Sequence, residues 1–129
     1  MTVGVSGANL ANKVLDGITR TGSFPTAGTL FVRLHTGDPG AAGTANSSAV
    51  TTRSAATFGS AASGGVGTMT NTPSWSMTST ETISHISLWD ASTSGNFLWS
   101  VALTASKAVS NGDTLNLSSL TLTFTPIAA

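Results

Sequence analysis

The chain has 129 residues, with five basic and five acidic side chains and no cysteine. That length suits one domain with a continuous core, and the absence of thiols excludes disulfides and thiolate metal sites. Zero net charge, with the basic residues Lys13, Arg20, Arg33, Arg53 and Lys107 scattered, argues against nucleic-acid binding, which needs a concentrated positive patch.

Only 8% of residues are charged, against about 25% in ordinary soluble proteins, while Ser and Thr make up about a third, so the surface must be built largely of hydroxyls and glycines. A hydrophobic content of 40% with regular alternation counts against disorder. A net charge near zero invites self-association, which suits a subunit of a larger assembly better than a free monomer. The opening "MTVGVSGANL" lacks the basic start and apolar run of a secretory signal. No stretch approaches the ~20 apolar residues of a membrane span, so no membrane insertion is expected.

The first predicted element is a helix over "GANLANKVLDGIT". Ser6 can cap it, Leu10, Val14, Leu15 and Ile18 form one apolar stripe, and Gly22 can stop it. Gly17 weakens such a helix by about 1 kcal/mol relative to Ala, so it needs a surface to lie on. That surface is either its own sheet or a neighbouring subunit, and these four residues are the candidate assembly interface.

From Thr29 the period changes to two. Leu30, Val32 and Leu34 alternate with Phe31, Arg33 and His35 as in a strand with one face in the core. "GDPG" ends it: Pro39 presets its φ, Gly40 accepts a positive φ and Asp38 can accept from the turn backbone. A small-residue loop over 41–51 leads to a short strand in "TRSAATFG". "SGGVG" is a turn, and "TMTNTPSWSM" resumes strand character, with Pro73 marking an edge or a bulge.

"TISHISLWD" and "NFLWSVALT", joined by "ASTSG", predict a hairpin. In the second run Phe97, Trp99, Val101 and Leu103 share a face; in the first, Ile86 and Leu88 oppose Ile83, His85 and Trp89. "SNGD" is a further hairpin turn. Beyond it the apolar parity flips from odd (Leu115, Leu117) to even (Leu120, Leu122, Phe124) at Ser118 and Ser119, which predicts a bulge or corner. The expected fold is all-β: an antiparallel β-sandwich or small barrel of about seven to eight strands with one N-terminal α-helix. Residues 1–28 form the arm and helix, and 29–129 the sandwich.

Candidate chemistry is thin. His35, Asp38, His85 and Asp90 are of metal-ligating type, but no pair has the i, i+2 spacing that places two ligands on one strand face. A Ser-His-Asp hydrolase lacks the "GxSxG" elbow, and Glu81 and Asp113 lie beside turns, where a carboxylate serves as a cap. "SGGVG" does not follow a strand and open a helix, as a phosphate loop would. No catalytic, cofactor-binding or metal residue is therefore assigned, and no cofactor is expected. Trp75, Trp89 and Trp99 suit a core or subunit interface better than a sugar platform.

The ordered segments "LFVRLHTGDPG", "RSAATFGSAASGGVG" and "ISHISLWDASTSGNFLWSVALTASKAVSNGDTLNLSSLTLTF" resemble a family of small tailed-bacteriophage virion proteins labelled tail fibre or minor tail proteins. The resemblance runs from about Leu30 to Phe124. It implies a non-enzymatic structural protein at the surface of a phage particle, made in the bacterial host cytoplasm. Compact β-rich virion proteins also decorate capsids, often as trimers, and a long fibre would need repeats that this chain lacks. The expectation is therefore a capsid decoration or cement protein on the outer shell. The alternative is a minor tail or tail-fibre protein involved in host attachment. Expected partners are further copies of the chain, as a homotrimer, and the phage major capsid protein or tail proteins.

Overall fold

The computed structural model describes residues 3–22, 28–60 and 64–123. A π-helical turn, Gly7–Ala11, runs into helix α1 (Asn12–Thr19). Among the described residues eight strands follow: β1 (Leu30–His35), β2 (Ser54–Ala56), β3 (Val66–Thr68), β4 (Ser74–Ser76), β5 (Glu81–Trp89), β6 (Phe97–Val109), β7 (Thr114–Asn116) and β8 (Thr121–Thr123). All pairings are antiparallel: a four-stranded sheet in the order β2-β1-β5-β6, and two ribbons, β3-β8 and β4-β7. The all-β architecture with one N-terminal helix is as the sequence predicts.

The core lies between the sheet and the ribbons. Val32 and Leu34 of β1, Ala56 of β2 and Ile86 and Leu88 of β5 meet Met69, Trp75, Met77 and Leu120 there. Strict alternation delivers these side chains to one face, and the register pairs Val32 with Leu88 and Leu34 with Ile86.

Two expectations of strand parity are corrected. Ile83 is fully buried in the core with Ile86 and Leu88, rather than opposite them beside His85 and Trp89. The β5–β6 register shifts between Ile83 and His85, and such an irregularity reverses which face each side chain takes. A second shift between Leu88 and Trp89 separates Phe97 from Trp99, Val101 and Leu103. Those three pack against the core, whereas Phe97 lies against Trp89, their ring centroids 5.7 Å apart.

The parity flip at Ser118 and Ser119 is realised as a one-residue slip in register between the β4–β7 and β3–β8 pairs. Leu115, Leu117, Leu120 and Leu122 all reach the core in consequence. Pro73, buried at the junction on the facing segment, has its carbonyl bound by Leu117 N–H at 2.9 Å.

Ahead of the helix, Val5 bridges Trp99, Ser6 N–H donates to Leu98 O at 2.7 Å and Ser100 N–H donates to Gly4 O at 2.8 Å. The arm thus covers the β6 edge over Leu98 to Ser100. Ser6 then caps the helix, its hydroxyl accepting from Asn9 N–H at 3.3 Å. The helix ends at Thr19, three residues before Gly22, with Arg20 N–H bonded to Asp16 O.

Candidate functional site

The face of the four-stranded sheet turned away from the core carries the concentrated polar chemistry. Because Val32 and Leu34 point inward, Phe31, Arg33 and His35 point outward. The β1–β5 register sets Phe31 beside Trp89, Arg33 beside Ser87 and His35 beside His85. On the other side Val32 pairs with Ser54, so the next step of the same ladder places Arg53 across from Arg33.

A loop over 36–48 folds across this face. Thr36 N–H donates to Asn46 O (2.8 Å), Ser48 N–H to Leu34 O (3.1 Å) and Ala45 N–H to Pro39 O (2.9 Å). The turn at "GDPG" forms as expected, with Asp38 Oδ1 accepting from Gly40 N–H at 2.8 Å and Gly40 at φ 74°. Gly43, at φ 71°, lies so close to the Phe97 ring that a Cβ there would overlap it.

His35 is fully buried beneath this loop. Its Nδ1 is 2.8 Å from Ala45 O, and its Nε2 is 2.7 Å from Ser87 Oγ. A carbonyl only accepts, so Nδ1 carries the hydrogen and Nε2 accepts from the Ser87 hydroxyl. Ser87 Oγ in turn accepts from Trp89 Nε1 at 2.8 Å. The chain Trp89 to Ser87 to His35 to Ala45 is complete with a neutral imidazole. Burial lowers the His35 pKa below its ordinary value; the Ala45 carbonyl opposes this, and the charges of Arg33 and His85 add to it.

A serine hydroxyl on a histidine nitrogen has the outward form of an activated nucleophile. Here both residues are fully buried, and the hydroxyl is spent between two ring nitrogens. The pair is a structural bridge from β1 to β5.

Three further carboxylates serve loops and turns. Asp90 accepts Asn96 N–H (2.7 Å) and Nδ2 (2.8 Å) across the β5–β6 hairpin loop. Burial raises its pKa, and the Asn96 backbone and side-chain donors outweigh that, so the net shift is downward. Asp113 accepts from Ser110 N–H in the "SNGD" turn, and Glu81 binds the Ser48 hydroxyl and Ala49 N–H. Among the described residues no group of three or more His or acidic side chains is placed to hold a metal ion. Asp38 and Asp90 each serve their own loop, while His35 and His85 are cross-strand neighbours with separate partners.

Arg53 lies over the Trp89 ring, with Cζ 3.8 Å from the ring centroid. Its Nη1 donates to Ala91 O (2.8 Å) and Ser94 O (2.6 Å), tying the hairpin loop to β2. Arg33 Nη2 donates to Ser47 Oγ at 2.8 Å, while Arg33 Nε is buried with no partner among the described residues. Sequence reading missed this pair: the outward parity of Arg33 was visible, but its neighbour lies 20 positions away and only strand register joins them. Of the tryptophans, Trp75 is a core residue donating to Thr52 O, Trp99 packs on the core, and Trp89 lies on the outer face.

The candidate assembly residues separate. Leu10 is buried within its own chain and Val14 is half-buried, whereas Leu15 and Ile18 are 59% and 68% exposed. With Val3 and Val5 they are the large apolar side chains that stand exposed among the described residues. No described helix is long and apolar enough to cross a membrane.

The family described as podophage GP4 fiber I protein gp80 matches residues 6–125, from the capping serine through the last strand. No curated protein matches the chain. The match supports a structural protein of a phage virion, as the sequence resemblance implied. By its description as a fiber protein family it favours the tail fibre over the capsid decoration expected from the chain's compactness.

Proposed function

Since the chain belongs to the podophage GP4 fiber I protein gp80 family, we propose that it is a non-enzymatic tail-fibre subunit on the surface of the virion, joined to further copies of itself and used in host attachment. The observation that carries this reading is the extent of the match, which takes in both the helix and the β domain. The non-enzymatic part is supported by the fate of the polar groups: His35, Ser87, Asp38, Asp90 and Asp113 all serve loops and strand bridges.

Assembly is assigned to the amino-terminal segment, where Leu15 and Ile18 are exposed and Val14 half-buried on α1. Repeated burial of one modest apolar patch gains strength through closed symmetry, and a homotrimer is the form proposed. Tail proteins are then its virion partners.

Copy number tests the placement. Quantitative mass spectrometry of purified particles should give a few to a few dozen copies per virion. Hundreds would return the protein to the head shell.

A further inference from the structure

We propose that Arg33 and Arg53 form an oxyanion site on the outer face of the four-stranded sheet, and that its ligand is a carboxylate- or phosphate-bearing polysaccharide of the host surface. The polysaccharide part rests on the fibre reading above; the oxyanion part does not.

Three observations converge. First, one step beyond the β1–β2 pairs, Arg33 of β1 and Arg53, the residue just before β2, fall at opposed positions, and like charges so placed are unfavourable unless negative charge lies near them. Burial depresses the Arg53 pKa and the Arg33 charge depresses it further, while Asp90 opposes both. Second, among the described residues no carboxylate hydrogen-bonds either group: the partners are Ser47 Oγ, Ala91 O and Ser94 O. The carboxylates of Asp38, Glu81, Asp90 and Asp113 are spent on Gly40, Ser48, Asn96 and Ser110. Third, among the described residues donors remain idle: Arg33 Nε is buried with no partner, and the bonds of Arg53 run through Nη1. A buried donor without a partner in a native fold requires an explanation, and a bound anion supplies one.

The site is also preorganised. The Trp89 ring and two carbonyls at Nη1 hold Arg53 in place, and its other nitrogens have no bond among the described residues. Forked, planar donors match carboxylate and phosphate oxygens. Both arginines are partly exposed, and the exposed Ser94 of the adjoining loop offers a hydroxyl of the kind that binds sugar hydroxyls.

The test is an NMR titration of the intact protein, following the arginine Nε–Hε signals with sodium phosphate, sodium acetate and a polygalacturonate oligosaccharide, against sodium chloride at matched ionic strength. Saturable shifts of Arg33 and Arg53 with the oxyanions, but not with chloride, are expected. Arg33→Gln and Arg53→Gln should each weaken binding roughly tenfold or more, since each removes one charged fork, and Lys107→Gln should leave it unchanged. Absence of saturable shifts in the unsubstituted protein would overturn the site without reliance on any variant. Shifts confined to molar salt would mean an adventitious ion only, and overturn it equally. Phosphate and acetate binding without polygalacturonate binding would overturn the polysaccharide assignment. A head-shell location would overturn the fibre reading while leaving the phosphate result standing.

Discussion

The Ser87 hydroxyl sits 2.7 Å from Nε2 of His35 on the neighbouring strand, and both residues are fully buried. One oxygen therefore serves the imidazole and, at 2.8 Å, the Trp89 indole. Replacing Ser87 with Ala leaves a buried donor and a buried acceptor unsatisfied, at a cost of about 1–3 kcal/mol. Ser84, which binds His85 from a half-buried position, is the control. Urea denaturation should show a clear loss for S87A, and a change within about 0.5 kcal/mol for S84A.

The same bridge gives stability a pH dependence with a definite sign. The folded His35 pKa is lowered by burial, so at mildly acid pH the unfolded chain binds a proton that the folded chain refuses. The contribution is complete above the unfolded value of about 6.5 and is lost as pH falls from there to the folded pKa. Its slope reaches at most about 1.4 kcal/mol per pH unit. Denaturation midpoints between pH 5 and 8 should fall on the acid side, and His35→Gln should flatten that part of the profile. An unchanged profile in the variant would place the dependence elsewhere.

Gly43 permits the covering loop to lie on the Phe97 ring. At φ 71° an alanine pays roughly 1–2 kcal/mol for the left-handed backbone alone, and its methyl also meets the ring. G43A should lower the melting temperature by several degrees and weaken hydrogen-exchange protection of Ala45 and Ser48, whose N–H groups close the loop. An unchanged melting temperature would show that the loop can lift without loss.

Leu15 and Ile18 contribute little to their own fold, since most of each side chain already faces solvent. The double substitution to Ser should change folding stability by less than about 0.5 kcal/mol per site. Sedimentation velocity should then show the smaller species if α1 carries assembly. Full retention of the assembled form would move the interface away from the helix.

Much of the architecture was legible because alternation is a local signal. Leu30 to His35, the hairpin flanking "ASTSG" and the parity flip at Ser118 and Ser119 each appear in the structure where the residues placed them. The readings that failed are those where an irregularity intervenes. Ile83 and Phe97 changed faces at register shifts that leave no mark in composition, and β6 continues to Val109 through Ala105–Ala108, which show no alternation.

The polar face was less legible, for a different reason. His35 and Asp38 are close in sequence and of metal-ligating type, yet they serve a strand bridge and a loop turn. Arg33 and Arg53 are distant in sequence and suggested nothing. Their meeting depends on strand pairing, and the capture of Arg53 by Trp89 depends on a hairpin loop whose carbonyls happen to face it.

Immunogold labelling of intact phage particles tests the central claim most directly. Gold at the tail, with bare heads, is the predicted image for a fibre subunit. Label distributed over the capsid surface, or found only on disrupted particles, would contradict it.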